Sequence, residues 1–169
     1  MKKITIINPE KVSDKEAKKY KNRRASRAIV VDKDGKIALL YVSKKKYYKL
    51  PGGKMEEGES RIETLKRECR EEIGCNLEII GEIGFIVEYR KMFERRQTSY
   101  CYLAKVKGRQ AMAHLSKKEK EEGYKLKWLT YNNAVKVMEK SKKVSKEGNP
   151  YVISRETAFL KEAKAILSN

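Results

Sequence analysis

With 169 residues, 40% of them hydrophobic and 38% charged, and only 3 prolines and 10 glycines, the chain has the composition of one folded domain with a buried core. No run approaches the roughly 18 apolar residues of a membrane helix, and the start, MKKITIINPEKVSDKE, lacks the apolar segment of a secretory signal, so a cytoplasmic address without a membrane partner is expected. The net charge of +18 points to an anionic partner, whether polyphosphate, nucleotide or nucleic acid, unless it is only a solvated lysine-rich surface.

Residues 1–24 are polar and basic and read as an extension preceding the domain at 25–169, apart from a short β-prone run at Ile4 to Ile7. A hairpin follows, with Ser26 to Val31 and Lys36 to Val42 as strands about an Asp32-Lys33-Asp34-Gly35 turn. A basic loop, Ser43 to Lys46, leads to a short run at Tyr47 to Leu50, and Pro51-Gly52-Gly53 breaks regular structure. Ser60 and Glu63 have the S-x-x-E spacing of a capping box, so a helix starts there. Its apolar stripe is Ile62, Leu65, Cys69 and Ile73, and Gly74 supplies the C-cap. Leu77 to Tyr89, Thr98 to Val106 and Lys125 to Thr130 are β-prone, with a charged loop at Arg90 to Arg96. Asn132 to Lys140 and Tyr151 to Leu167 have helical apolar spacing. Strands, one capped central helix, more strands and closing helices imply an α/β fold, a mixed sheet covered on both faces.

Cys69, Cys75 and Cys101 form no C-x-x-C pair and read as small apolar residues in a reducing compartment, and the single His114 lacks a partner motif. Residues 52 to 75 hold seven acids against five bases, an acidic island in a basic chain. On the central helix Glu68, Glu71 and Glu72 stand at i, i+3 and i+4 and share a face away from the apolar stripe. Either they are a solvated acidic face offset by Lys66, Arg67 and Arg70, or a hard cation such as Mg2+ or Mn2+ gathers them. If repulsion among the three governs, neutralising Glu72 leaves the metal-free fold no less stable.

The run LPGGKMEEGES at 50–60 continues into a complete match to G-x5-E-x7-R-E-U-x-E-E-x-G-U, with Gly53, Glu59, Arg67, Glu68, Glu71, Glu72 and Gly74 at the fixed positions. Cys69 and Cys75 stand where the pattern has bulky aliphatics, a departure that touches packing rather than chemistry. This stretch resembles the box of the Nudix hydrolase family. The resemblance implies an α/β/α sandwich with a mixed β-sheet and a central catalytic loop-helix. It further implies Mg2+ or Mn2+ at Glu68, Glu71 and Glu72, assisted by the Gly52 carbonyl and less directly by Glu59, with Arg67 orienting the carboxylates. Such a metal neutralises a pyrophosphate bridge and activates water. Glu122-Gly123, shortly before Trp128, is similar in spacing to a loop glutamate of MutT-like members that joins the metal site or acts as base; Glu119 and Glu121 compete for that assignment. Tyr48 stands where many relatives have tryptophan and is expected to pack under the loop.

The resemblance implies a nucleoside diphosphate derivative as substrate. Markers of ADP-ribose and dinucleoside polyphosphate hydrolases are absent from Glu88 to Phe93, which leaves a MutT-like nucleoside triphosphate pyrophosphohydrolase, with oxidised purine nucleotides as one substrate group. Arg23, Arg24, Arg27 and Lys44, Lys45 and Lys46 are candidate phosphate contacts, and Tyr47, Tyr89, Phe93 and Tyr100 candidate stacking residues. An enzyme acting on RNA 5′ ends through the basic surface, and a noncatalytic basic module, are the alternatives. A monomer or homodimer is expected.

Overall fold

The computed structural model describes residues 1–144 and 150–167. A seven-stranded mixed sheet forms its centre, built from β1 (Lys3–Ile7), β2 (Lys21–Val31), β3 (Ile37–Val42), β4 (Tyr47–Lys49), β5 (Asn76–Arg90), β6 (Arg95–Lys107) and β7 (Tyr124–Leu129). The order is β1-β5-β6-β2-β3-β4, with β7 pairing to β3. β1 runs parallel to β5 and β2 parallel to β6, while the other pairs are antiparallel.

The α/β expectation holds, and the elements are longer than their apolar runs suggest. The charged stretch at Arg90 to Arg96 is not a loop: β5 and β6 continue through it and join by one turn of 3-10 helix, Lys91–Phe93. Backbone pairing along the 11 registered positions of β2 against β6 holds Arg23, Arg24, Arg95 and Arg96 in strands whatever their intrinsic preference. The first 24 residues are likewise not a separate extension. β1 docks on β5, and β2 starts at Lys21, so a boundary after residue 24 falls inside a strand.

Helices cover both faces. α1 (Asp14–Ala17) and α3 (Lys117–Glu122) are short and capped by Ser13 and Ser116. α2 (Arg61–Ile73) starts at the Ser60/Glu63 capping box and ends at Gly74 in the left-handed conformation, as its sequence dictates. Its Leu65, Cys69 and Ile73 are fully buried and Ile62 partly so, against Ala28, Val30, Leu40 and Tyr102. The opposite face carries α4 (Tyr131–Val144) and α5 (Pro150–Leu167), whose Met138, Phe159 and Leu160 pack on Ile29, Leu39, Ile86 and Leu103. Period-2 alternation along β2 sends Ala28 and Val30 to α2 and Ile29 to α4 and α5, which explains why that strand has no polar face in its second half. Among the described residues no helix is long and apolar enough to cross a membrane.

Candidate active site

The segment from Tyr47 to Gly53 sets the site. In β4, side chains alternate, so Tyr47 and Lys49 share one face and Tyr48 takes the other, where it packs on the main core and meets the Tyr41 ring at 4.7 Å in a tilted contact. After Pro51 the backbone presses against β2: the Ala28 amide donates to the Pro51 carbonyl and the Ser26 amide to the Gly53 carbonyl. Gly52 has φ +123, and a β-carbon there would collide with the Ser26 carbonyl and lie 2.9 Å from Arg27 Cα. Only glycine permits this approach, which brings the loop beside the carboxylates of α2. A β-carbon at Gly53 would run into the Glu68 carboxylate.

Glu72, 2% exposed, accepts hydrogen bonds from the Gly52 amide at 2.6 Å and from Lys49 Nζ at 2.7 Å. The same ammonium lies 3.4 Å from the Gly52 carbonyl oxygen. Glu72 is therefore paired with Lys49 as well as set against Glu68, and the pairing weighs against the expectation that neutralising it leaves the metal-free fold unharmed. Glu68 sits one turn away, and its carboxyl is pushed upward from the usual range by burial and by Glu72, against the pull of Arg67. Arg67 reaches three carboxylates, Glu59 at 2.7 Å, Glu68 at 2.9 Å and Glu71 at 3.2 Å. Its hydrogen bonds hold the Glu59 carboxyl down at about 2.

Among the described residues no three His, Cys, Asp or Glu side chains form a group that could hold a metal ion; Lys49 pairs with Glu72, and Arg67 with Glu68. The residues nonetheless fit a hard divalent cation. Glu72 and the Gly52 carbonyl already share one cation, the Lys49 ammonium, and the donors are carboxylate and carbonyl oxygens. Glu68 stands beside the opening at Gly53, paired with Arg67 at 2.9 Å.

These groups line one wall of a cleft of about 360 Å³. Of the expected site residues, Gly52, Glu68, Glu72, Arg27, Lys45 and Glu122 line it, together with Arg23, Tyr47 and Glu119. Glu122 is held by Lys45 at 2.8 Å. Others do not line it. Arg67, Glu59 and Glu71 form the network behind Glu68, with Glu71 45% exposed. Lys46 turns away with φ +55 and lines a separate hollow with Tyr41 and Tyr48, because the turn between β3 and β4 reverses direction there. Tyr89 packs against Val12, Ala17 and Tyr20, since a residue flanked by Glu88 and Arg90, which bond to each other on the opposite face, must face the other side of the sheet. Arg24 and Tyr100 share that other face, Tyr100 beneath Arg61 at 3.7 Å, and Phe93 lies half-exposed at the β5–β6 turn. His114 contributes only a backbone bond to the Glu71 carbonyl.

Sequence reasoning did not single out Lys49, Arg90, Gln97 or Arg155, all of which line the cleft. The alternation Tyr47-Tyr48-Lys49 does mark Lys49 as inward once Tyr47 is placed, and Glu88 and Arg90 are i and i+2 on one strand. Arg155 carries no local signal, because only the packing of α5 on the sheet brings it there.

A family model described as the NUDIX domain matches residues 21–149. Many solved structures are similar. A NUDIX hydrolase from Nitrosomonas europaea is 19% identical with a TM-score of 0.62, over 86% of this chain and 90% of that one. The C. elegans Ap4A hydrolase is 17% identical with a TM-score of 0.60, over 87% and 99%. A mutator MutT protein from Bacillus halodurans is 27% identical with a TM-score of 0.52, over 78% and 80%. None of the curated proteins matches the chain.

Proposed function

This chain belongs to the Nudix family, and on that premise we propose that it is a pyrophosphohydrolase that cleaves a phosphoanhydride bond of a nucleoside diphosphate derivative with Mg2+ or Mn2+ at Glu68, Glu72 and the Gly52 carbonyl. The observation that carries the reading is the Lys49 ammonium shared by Glu72 and Gly52, a cation held by hard oxygen donors at the floor of a basic cleft. A divalent ion at these residues would neutralise the bridging phosphates and lower the pKa of an attacking water. The chain's own residues do the rest. Arg67 fixes Glu68, Glu59 and Glu71 in one network, so the ligating oxygens are oriented before any ion arrives. Arg27 and Lys45 face the cleft as donors to substrate phosphate oxygens. Glu122, beside Glu119, is the group assigned to take the water's proton, and Lys45 holds its carboxylate at the cleft wall.

Within the family we favour the MutT-like reaction, in which a nucleoside triphosphate, ordinary or oxidised, yields a monophosphate and pyrophosphate. The 27% identical relative is a MutT protein, while other similar structures are an Ap4A hydrolase and a UDP-X diphosphatase. A screen of nucleoside triphosphates, nucleotide sugars, dinucleoside polyphosphates and 5′-triphosphorylated RNA with each metal tests the choice; the monophosphate and pyrophosphate pair is the expected product. The second reading, action on RNA 5′ ends, draws on the net charge of +18 and predicts binding to RNA oligomers that falls steeply with salt. Three buried free cysteines suit a reducing compartment and support a cytoplasmic address.

A further inference from the structure

Beyond the Gly52 loop the cleft is lined by arginines that the carboxylate ledge does not use. Arg23 of β2 pairs in register with Gln97 of β6, and Gln97 with Glu88 of β5, so the three form one row across the sheet. Arg90 is two positions along β5 on the same face, and α5 lays Arg155 and Glu156 over them. Four guanidiniums, Arg23, Arg27, Arg90 and Arg155, thus meet two carboxylates, Glu88 and Glu156.

Both oxygens of Glu88 are committed, whereas Glu156 uses only Oε1 and its buried Oε2 has no hydrogen-bond partner among the described residues. Glu88 takes Arg90 on one oxygen and Arg155 on the other, at 2.8 and 2.7 Å, and Glu156 takes Arg155. Arg27 is left with Glu156 at 3.6 Å, beyond hydrogen-bond length, and its Nε and Nη1 have no hydrogen-bond partner among the described residues although it is only 6% exposed. Arg23 meets one neutral acceptor, the Gln97 amide oxygen at 3.3 Å; Gln97 donates its amide nitrogen to Ser99, which fixes that oxygen toward Arg23. Burial and the neighbouring arginines weigh against the charge of Arg23 and draw its pKa down to about 10. Arg23, whose one side-chain acceptor is neutral, keeps planar donors that no carboxylate fills, and such a fork matches the oxygens of a phosphomonoester, which carries about two negative charges.

Position separates this end from the reaction centre. Arg27 lies against Gly52, whereas Arg23 is four residues back along an extended strand, about 13 Å of backbone at the usual rise per residue. That is far longer than the step between adjacent phosphates in a chain. We propose that Arg23, with Arg90 and Gln97 beside it, forms a second phosphate subsite, Arg27 standing between it and the reaction centre, so that the substrate carries a phosphomonoester separate from the diphosphate that is cleaved. The proposal rests on the pyrophosphohydrolase reading for its ledge but not for its arginines.

The test is calorimetric binding to the full chain in excess EDTA and 150 mM salt, comparing adenosine 3′,5′-bisphosphate with adenosine 5′-monophosphate. The bisphosphate is expected to bind at least about tenfold more tightly, the factor one charge-assisted hydrogen bond supplies. Arg23→Gln should abolish that advantage, whereas Lys46→Gln, which removes the same charge outside the cleft, should preserve it. Equal binding of the two ligands by the parent, or an Arg23→Gln effect matched by Lys46→Gln, overturns the subsite. Arg23 is half-buried with one side-chain hydrogen bond, and a thermal midpoint close to the parent's verifies folding; Arg23→Lys, which keeps the charge but loses the fork, is the second variant and should weaken the bisphosphate selectively. Because these readouts need neither metal nor turnover, an intact bisphosphate advantage without metal-dependent hydrolysis of any substrate overturns the hydrolase reading alone.

Discussion

Replacing Glu72 by glutamine preserves the side chain's shape and removes its charge. The Gly52 amide can still donate to the new amide oxygen, but Lys49, with a side chain only 10% exposed, then faces a group that no longer balances it. Removing one partner of a buried ion pair typically costs about 3–5 kcal/mol. The Gly52 carbonyl at 3.4 Å and the Tyr124 ring 5.0 Å from Nζ remain as weaker company for the ammonium, which argues for the lower end, about 3 kcal/mol. For a chain of this size each kcal/mol moves the thermal midpoint by roughly 2–4 °C, so Glu72→Gln should lower it by about 6–12 °C in EDTA. Adding Lys49→Met removes the stranded charge and should restore most of that loss. In Mg2+ both variants should show kcat reduced by about 100-fold or more, because the carboxylate that would ligate the ion is gone. Scanning calorimetry of the parent, the two single variants and the double variant, each paired with a turnover assay, separates the two roles. A midpoint for Glu72→Gln within about 1 °C of the parent would refute the ion pair, and near-parental kcat would remove Glu72 from the reaction centre.

Turnover should vanish in excess EDTA and return with Mg2+ or Mn2+; sustained hydrolysis in metal-free buffer would contradict the assigned role of the carboxylates. Gly52→Ala should lose at least about 2 kcal/mol in urea unfolding, since its φ of +123 and the Ser26 carbonyl both oppose a β-carbon. Glu88→Gln removes one of the two carboxylates that hold Arg155, 1% exposed, and the carboxylate that holds Arg90, and should cost about 3 kcal/mol by the same measurement. Glu59 has a folded pKa of about 2 against an ordinary 4.5, so its contribution is complete above pH 4.5 and is lost as pH falls through about 2. Glu59→Gln should therefore flatten the acid limb of the stability curve between those values, and an unchanged limb would rule out the Arg67 contact as its cause.

What could be read from the sequence was whatever is local. The α2 helix, its Ser60 cap, its Gly74 end and its buried stripe depend on spacings of three and four residues, and they stand where those spacings put them. The same is true of Glu68 and Glu72 beside the glycine loop. The Ser13/Glu16 and Ser116/Glu119 spacings also announce α1 and α3, though their high charge hides them among loops. Partners set by tertiary structure were not legible. Glu68, Glu71 and Glu72 look alike on a helical wheel, yet one is tied to Arg67 from a neighbouring position, one is 45% exposed and one meets a lysine 23 positions away. Arg90 to Arg96 reads as a loop because nothing local reveals that β2 lies beside it in parallel register.

The contact between Arg155 and Glu88 spans 67 positions of the chain, and Glu88 reaches its place only when β5 has paired with both β1 and β6. Closing loops of that length costs entropy before any contact repays it, and parallel pairs such as β1 with β5 form slowly for the same reason. The capped helix α2, by contrast, needs little beyond its own thirteen residues to begin. In a refolding experiment the far-ultraviolet helical signal should therefore recover before binding competence does. A chain whose α5 has detached would keep the Nudix loop and helix while losing one side of the chamber, so protection of the β5 amides from solvent exchange should rise and fall with the docking of that helix.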